Sequence, residues 1–191
     1  MKALAICGSP RVGGNTETLL KLCLNTLEEE DVEGELVRLA EHKIVGCDAC
    51  GKCFKNRDGK CVTADDDFAP IFSKMQEADV IVVGSPVYFG SAVPELMALL
   101  DRAGYVGRAN GNPFSRKIGG PIVVARRAGQ NFTYAQLLYW FMINDMVVPG
   151  STYWNVAFGR AIGEVNGDEE GMATVKRFAE NCAWLAKRIH T

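Results

Sequence analysis

The sequence has no long hydrophobic run and no excess of either charge. Its apolar stretches are short, such as residues 80–83, whereas a membrane span needs roughly 18 apolar residues. The N-terminal segment has one lysine and an apolar run too short for a signal peptide. The 21 lysines and arginines nearly balance 23 acidic residues, without the basic excess of nucleic-acid binders. We therefore expect neither a membrane protein, nor a secreted one, nor a nucleic-acid binder.

Histidine is scarce, and so are the motifs of side-chain catalysis. The chain has only His42 and His190, with no Ser-His-Asp arrangement, no H-E-x-x-H segment and no paired carboxylates that suggest acid–base work. A Walker phosphate loop and the G-x-G-x-x-G fingerprint are also missing. Three consecutive acids, Asp65 to Asp67, open a predicted helix, where we expect them to cap it and complement its dipole rather than bind a metal.

The composition is that of an ordinary globular protein of 191 residues, 48% of them hydrophobic. Short apolar runs alternate with segments of helical period five times along the chain. Strands are predicted at residues 2–7, 35–40, 79–84 and 118–125 and in a fifth region formed by 147–148 and 156–158, and helices at 15–30, 65–75, 94–103, 132–146 and 168–189. This alternation is typical of an open, doubly wound parallel sheet, so we expect an α/β fold in a single domain over residues 1–191.

The loop after the first strand, residues 8–16, has the features of a phosphate site. Side-chain donors and a positive charge are supplied by Ser9, Arg11, Asn15 and Thr16. Two glycines in the loop would let backbone N–H groups approach a ligand, and the following helix, which Asn15 is suited to cap, adds its positive end. Open α/β sheets bind ligands at this edge, beyond the carboxyl ends of their strands. The alternative is an ordinary strand-to-helix turn, which needs none of these polar side chains.

Two further loops end at the same edge of the predicted sheet. The loop after the third strand offers apolar and aromatic surface beside backbone amides, which suits a flat heterocycle. Its residues are Pro86, Val87, Tyr88, Phe89 and Gly90. The alternative is a hydrophobic loop that covers the core. The loop after the fourth strand, 126–130, is polar, which a purely structural turn would not require.

The three loops lie in the segments GSPRVGGNTETLL, GSPVYFGSAVPELMALLDR and RRAGQNFTYAQLLYWF. Together these segments resemble the NAD(P)H-dependent FMN reductase and iron–sulfur flavoprotein group of the flavodoxin-like superfamily. The resemblance implies a three-layer, five-stranded parallel sheet of order 2-1-3-4-5, with FMN at the switch between strands one and three. It also implies roles for residues at that edge. The phosphate of FMN would contact Ser9, Arg11, Asn15 and Thr16; the ribityl chain and isoalloxazine would contact Pro86, Val87, Tyr88, Phe89 and Gly90; the other edge of the ring would contact Ala128, Gly129 and Gln130.

The same resemblance implies an oxidoreductase that takes hydride from NAD(P)H onto FMN and passes electrons to a quinone, free flavin, iron–sulfur centre or protein partner. Hydride passes directly between nicotinamide and flavin, so no obligatory catalytic side chain is expected. One alternative is an electron carrier of flavodoxin or iron–sulfur flavoprotein type without its own NAD(P)H reaction, and another is a cysteine-based redox sensor with structural FMN. The pair Arg126 and Arg127 departs from several relatives, and it would either attract a dinucleotide phosphate or form a solvated rim.

Four of the seven cysteines crowd into residues 46–62, which we expect to be an insertion between the second strand and the second helix. Cys47, Cys50, Cys53 and Cys61 form C-x2-C-x2-C and a fourth cysteine further on, a spacing that matches the compact motif of iron–sulfur flavoproteins. The open alternatives are a [4Fe–4S] cluster, free or reversibly oxidised thiols, zinc and a structural disulfide. An odd cysteine count without an export signal favours a reducing cytoplasm.

The predicted fourth helix is apolar on all sides. Residues 137–142 are all apolar or aromatic, so one face can pack on the sheet while the other needs a different cover. We expect a homo-oligomer, either a two-fold dimer or a dimer of dimers, in which this helix lies at the interface. The alternative is that the cysteine segment or residues 153–154 cover this face within one chain.

Overall fold

The computed structural model of the protein describes residues 1–189, so His190 lies outside the described part. Its sheet consists of β1 (Lys2–Cys7), β2 (Glu33–Arg38), β3 (Val80–Pro86), β4 (Ile118–Ala125) and β5 (Val156–Phe158). Neighbouring strands are parallel throughout, and their order is β2-β1-β3-β4-β5. This confirms the predicted α/β class and the flavodoxin-like strand order.

Helices cover both faces of the sheet, and this is why its central strands are apolar along their whole length. The helices are α1 (Asn15–Glu29), α2 (Lys52–Asn56), α3 (Phe68–Glu77), α4 (Pro94–Ala109), α5 (Gln130–Ile143) and α6 (Glu169–Ile189). One buried core joins α1 and α6 to the sheet, and the other joins α3, α4 and α5 to its opposite face. Within residues 1–189, no helix combines the length and apolar character needed to span a lipid bilayer.

Helix α4 extends beyond the predicted end at residue 103, although two glycines follow. A Cβ at Gly104 would lie 3.3 Å from Nε1 of Trp140, and one at Gly107 would lie 3.0 Å from the ring of Phe114. Both glycines therefore allow close packing of aromatic rings instead of ending the helix. This packing stabilises helix turns that glycine alone would disfavour.

Several other boundaries differ from the prediction. The second strand lies at 33–38 rather than 35–40 and is followed by a 3-10 turn, Leu39–Glu41. Within the cysteine segment, which has no sequence period, α2 begins after Gly51 at φ 68°. A helix of five residues is too short to produce a recognisable period. At the end of α6, Ile189 is exposed rather than part of the inner stripe, whose last buried residue is Ala186.

The fourth helix and the fifth-strand region are also shifted. Helix α5 covers 130–143 rather than 132–146, and residues 147–148 form no continuous strand. Val147 makes a single parallel bridge to Ile118, and only Val156–Phe158 forms a ladder with β4. The sheet therefore ends in a short fifth strand.

Candidate functional site

A cavity of about 300 Å³ lies at the carboxyl ends of β1, β3 and β4, which include the switch point of the strand order. Its lining residues are Ser9, Arg11, Asn15, Thr16, Pro86, Val87, Tyr88, Val124, Arg126, Gly159 and Arg160. The remaining residues predicted for this site do not line the cavity: Phe89, Gly90, Ala128, Gly129 and Gln130. The structure thus brings the first loop together with part of the second.

The loop after β1 uses its glycines differently from the prediction. The N–H of Gly13 donates to Oε2 of Glu17 at 2.7 Å, and that of Gly14 donates to a carbonyl within the loop at 3.1 Å. Neither N–H group is therefore left for a ligand, and the available donors are the first turn of α1 and two nearly buried hydroxyls, Ser9 and Thr16. Oγ of Ser9 accepts a loop N–H at 3.2 Å and keeps its own proton for another acceptor.

Beneath this loop lies a buried carboxylate that the sequence does not reveal. Glu17 is 1% exposed and pairs with Lys21 at 2.7 Å and with Arg38 at 3.4 Å. Burial opposes its ionisation, but hydrogen bonds from Lys21 and from the N–H of Gly13 outweigh burial and lower the pKa of Glu17. Ionised Glu17 therefore fixes the shape of the loop from inside.

Asn15 was expected to cap α1, but the N-cap residue is Gly14. The side chain of Asn15 reaches the loop between β5 and α6 instead. Its Nδ2 donates to the carbonyl of Ala161 at 2.8 Å, and its Oδ1 accepts the N–H groups of Gly163 at 2.9 Å and Val165 at 3.4 Å. Asn15 thus lines the cavity while its amide is engaged with the protein.

The cavity is positively charged. Among the residues that line it within the described chain are three arginines, Arg11, Arg126 and Arg160, and no carboxylate. Arg127, the second member of the predicted basic pair, does not line it. Arg160 is not predicted from the sequence, because it follows the short last strand, far along the chain. The general location of ligands beyond strand carboxyl ends is the signal that points to it.

The loop after β3 holds an aromatic ring in solvent. Tyr88 and Ser91 exchange backbone hydrogen bonds at 3.0 and 3.1 Å, closing a tight turn. Its central residues, Phe89 at φ 52° and Gly90 at φ 81°, both have left-handed backbone. For a bulky residue such as Phe89 this costs of order 1–3 kcal/mol, and such strain is typical of functional sites. The ring of Phe89 is fully exposed beside the cavity-lining Tyr88.

The loop after β4 contacts the loop after β3, residues 86–91, which we call the aromatic loop, at one glycine. Gly129 has φ 91°, and a Cβ there would lie 2.9 Å from Cγ1 of Val87 and 3.3 Å from Cα of Gly90. Gly129 therefore lies against the aromatic loop although residues 128–130 do not line the cavity. In the next residue, Gln130, Oε1 is buried and has no hydrogen-bond partner among the described residues.

The four clustered cysteines surround a second cavity, of about 130 Å³. Cys47, Cys50, Cys53 and Cys61 all line it, and each is a free thiol. In the part of the chain that is described, no three His, Cys, Asp or Glu residues are arranged to hold one metal ion. These residues therefore show neither the disulfide nor the single-ion geometry that zinc requires.

One buried arginine connects this second cavity to the fold. Arg102 is 1% exposed; its Nε donates to Sγ of Cys61 at 3.3 Å and its Nη2 donates to Oδ1 of Asp66 at 3.1 Å. Its guanidinium also lies 4.2 Å from the centre of the Phe68 ring. Burial opposes ionisation of Cys61, but hydrogen bonds with Thr63 and from Arg102 outweigh burial and lower its pKa.

Two of the three acids that precede α3, Asp66 and Asp67, make contacts other than the predicted capping. Asp67 occupies the N-cap position without a side-chain capping bond, and its carboxylate accepts the N–H of Lys43 at 2.8 Å instead. Asp66 accepts the N–H of Phe68 at 3.3 Å but is also the ion-pair partner of Arg102. Capping thus describes only part of the role of Asp66.

Comparison with known proteins decides the family. The sequence model of the NADPH-dependent FMN reductase family matches residues 1–161. An iron–sulfur flavoprotein of Methanocaldococcus jannaschii is 36% identical over 196 aligned positions, which cover 99% of each chain. The chain belongs to the NADPH-dependent FMN reductase family, in its iron–sulfur flavoprotein group.

Further comparisons agree with this membership. The iron–sulfur flavoprotein of Methanosarcina thermophila is 34% identical over 94% of this chain and 92% of its own. The solved structure of RosB with bound 8-demethyl-8-formylriboflavin-5'-phosphate has a TM-score of 0.79 at 20% identity and covers 100% of this chain and 80% of that one, which supports the fold. As a member of this family, the chain is an FMN-dependent oxidoreductase or electron-transfer protein.

The residues that line the first cavity of the protein fit FMN. Three arginines, two hydroxyls and a helix N-terminus suit the charge of a phosphate ester. The aromatic loop, with Tyr88 lining the cavity and Phe89 exposed beside it, suits a flat ring.

The residues of the second cavity have the donor chemistry of an iron–sulfur site. Each iron of a [4Fe–4S] cluster takes one cysteine sulfur, so a cluster needs four thiols around a common space. Cys47, Cys50, Cys53 and Cys61 are four free thiols that line one small cavity.

Proposed function

We propose that the chain takes a hydride from NAD(P)H onto bound FMN and passes the electrons to a quinone, free flavin, iron–sulfur centre or protein partner. The observation that carries this proposal is the cationic cavity at the switch between β1 and β3, bordered by an aromatic loop. The name of the family supports a nicotinamide donor.

FMN supplies the hydride-accepting ring when bound, so the protein needs to bind and orient rather than transfer protons. We assign phosphate binding to the hydroxyls of Ser9 and Thr16 and to the guanidinium of Arg11, because they line one cavity. We assign the ring and ribityl chain to Pro86, Val87, Tyr88, Phe89, Gly90, Ala128, Gly129 and Gln130. The ring of Phe89 is fully exposed beside the cavity and is available to contact a ligand there.

A second candidate function is electron transfer between FMN and a [4Fe–4S] cluster without a reaction with NAD(P)H. The four-cysteine cavity favours it, and the similar archaeal proteins are named iron–sulfur flavoproteins. The two candidates differ in one measurable property, the consumption of reduced nicotinamide.

Two features of chain organisation are also part of the proposal. We propose that residues 46–62 form an insertion in a single domain over residues 1–191, because their short α2 contacts α4 without adding to the sheet. We place the protein in a reducing cytoplasm, where clustered thiols remain available for redox chemistry.

Our first prediction concerns the anaerobically purified protein. It should be yellow, release FMN rather than FAD on heating, and consume NADH or NADPH with a quinone or free flavin as acceptor. The cavity offers one phosphate site and no dinucleotide fingerprint for the second half of FAD. Absorption spectra, chromatography of the released flavin and steady-state assays test this. Absence of nicotinamide consumption would favour the electron carrier, and dominant FAD would contradict the assigned site.

The second prediction separates the cysteine site from the flavin site. Replacing Cys50 and Cys53 by serine should abolish iron, sulfide and the broad visible absorption of a cluster, while FMN stays bound. The reason is that these cysteines line a different cavity from the flavin residues. As a control, Cys182→Ala changes a buried cysteine of α6 and should retain the cluster. A double variant that neither folds nor binds flavin would show instead that the segment is structural.

A homodimer through α5 is the third prediction. Phe132, Tyr139, Met142 and Ile143 are all more than half exposed on this helix, so the chain does not cover them itself. Apolar patches of this kind mark interfaces. Because α5 follows loop 126–129, the interface would border the flavin site and allow a neighbouring subunit to contribute to its substrate side.

Light scattering at micromolar concentration should give at least twice the chain mass. Replacing Tyr139 and Met142 by glutamate should give the mass of one chain, because charges at an interface centre are costly. Trp184→Glu, an exposed aromatic of α6, should leave the oligomer unchanged. A wild-type protein with the mass of one chain would contradict the interface.

A further inference from the structure

The segment between β5 and α6, residues 159–166, is bound to the first turn of α1, and we name it the clamp loop. We propose that this loop is an anion clamp: Asn15 holds it on α1, and this places Arg160 as a second cationic ligand of a phosphate ester. The proposal rests on the flavin function above and deepens it. It also changes the role of Asn15 from a phosphate ligand to a positioning residue.

Asn15 connects the two loops through a buried side chain. It is 8% exposed, and both ends of its amide bond to the backbone of the clamp loop. These are contacts with the backbone of Ala161, Gly163 and Val165, so they fix the course of the loop and not one side chain. Oδ1 accepts two N–H groups of the loop and Nδ2 donates one of its two hydrogens to it, so the hydrogen bonds of this side chain are spent mainly on holding the clamp loop.

The close approach of the two loops depends on a glycine. A Cβ at Gly159 would lie 2.6 Å from Nδ2 of Asn15 and 2.9 Å from the backbone N of Val165. No other residue fits this position without displacing the loop. Gly159 directly follows β5, and its N–H donates to the carbonyl of Ala125, the last residue of β4, at 3.0 Å. The clamp loop is thereby held between β4 and α1.

Arg160 itself is fixed through its backbone on two sides. Its N–H donates to Oε2 of Glu164 at 2.6 Å, and its carbonyl accepts Nη1 of Arg11 at 2.9 Å. The guanidinium of Arg11 keeps four other N–H donors for a ligand. Two arginines from opposite ends of the chain therefore line the same cavity, together with the hydroxyls of Ser9 and Thr16.

The chemistry that this arrangement recognises is a phosphate ester. Two sources are available to this protein, the 5'-phosphate of FMN and the 2'-phosphate of NADPH. Arg160 shares its cavity with the helix N-terminus and both hydroxyls, so we assign it to FMN. The KM for NADPH, measured separately, distinguishes the two phosphate sources.

The test is a double-mutant cycle between Asn15→Ala and Arg160→Ala, with the dissociation constants of FMN and riboflavin measured for apoprotein by flavin fluorescence. Arg160→Ala should weaken the binding of FMN about 10- to 150-fold, the range for one hydrogen bond to a charged group, and leave the binding of riboflavin unchanged. Asn15→Ala should weaken FMN similarly. When Arg160 is already alanine, Asn15→Ala should raise the dissociation constant of FMN by no more than about twofold, because the effects of coupled residues are not additive.

Arg160→Ala keeps every backbone contact of the clamp loop, so it should fold even if Asn15→Ala does not. Arg127→Ala, an exposed arginine outside the cavity, is the matched control and should bind FMN like the wild type. Wild-type affinity in Arg160→Ala together with an unchanged KM for NADPH, or additive losses in the cycle, would overturn the proposal. A rise confined to the KM for NADPH would keep the clamp and assign it to the dinucleotide. A wild-type protein that binds no FMN would overturn the proposed function as well.

Discussion

Replacing Asp66 by alanine should lower the free energy of unfolding by about 3–5 kcal/mol, the usual cost of removing one partner from a buried ion pair. Both side chains of the pair, Asp66 and Arg102, are 1% exposed. The variant would leave a guanidinium buried with the carbonyl of Val45 and the sulfur of Cys61 as its remaining hydrogen-bond partners. A carbonyl and a sulfur do not replace the two-oxygen contact of a carboxylate, so the buried cation would lose its main counter-ion.

Asp65→Ala is the matched control for this experiment. Asp65 is the exposed neighbour of Asp66, so its loss should change stability by no more than about 0.5 kcal/mol. A neutral pair, Asp66→Leu with Arg102→Met, should recover most of the loss, because apolar replacements of a buried ion pair are often neutral. Chemical denaturation followed by circular dichroism measures all three. Equal stability of Asp66→Ala and the wild type would show that the pair is not buried in solution.

The same pair predicts a dependence on pH. Burial alone would raise the pKa of Asp66, but hydrogen bonds from Arg102 and from backbone N–H groups outweigh burial and lower it. A carboxylate with a depressed folded-state pKa contributes stability above its unfolded pKa and loses it as the pH falls through the folded value. The wild-type protein should therefore lose this contribution in acid, whereas Asp66→Ala should have a flatter profile below the ordinary pKa of aspartate.

The fold was predictable because its signals are local. The fully buried strands β3 and β4 appear in the sequence as continuous apolar runs. Helices such as α3 and α6 show a helical apolar period, whereas α5 is recognisable only as a long apolar segment. The boundaries that failed depend on distant contacts. The continuation of α4 through Gly104 and Gly107 requires knowing that Trp140 and Phe114 pack against it.

The cavity-lining residues that the sequence singles out lie in the loops that directly follow β1, β3 and β4, and their roles toward FMN stay predictions. Ser9, Thr16 and Tyr88 line the cavity as expected. Arg160 enters from a loop that is distant in sequence and follows a strand of three residues, which leaves a weak pattern. Asn15 has the right residue type for a phosphate ligand, but which partner it bonds is set by the tertiary contact with the clamp loop.

Riboflavin should bind to the apoprotein at least about a thousandfold more weakly than FMN. Each hydrogen bond to a charged group contributes about 1.5–3 kcal/mol, and the cavity provides at least three donors, the hydroxyls of Ser9 and Thr16 and the guanidinium of Arg11. Riboflavin lacks the phosphate and makes none of these bonds. Its aromatic and ribityl contacts are otherwise the same, so the ratio of the two dissociation constants isolates the phosphate site.

Arg11→Ala should reduce that ratio and thereby show which part of the ligand Arg11 binds. We expect FMN to bind about 10- to 150-fold more weakly to this variant, which corresponds to about 1.5–3 kcal/mol, and riboflavin to bind as it does to the wild type. The loss should also decrease as salt rises, because Arg11 is exposed and its interaction with the phosphate is screened. Equal weakening of both flavins would mean that Arg11 supports the fold of the loop, through its bond to the clamp loop, and not the phosphate. Unchanged affinity for FMN would place the phosphate elsewhere.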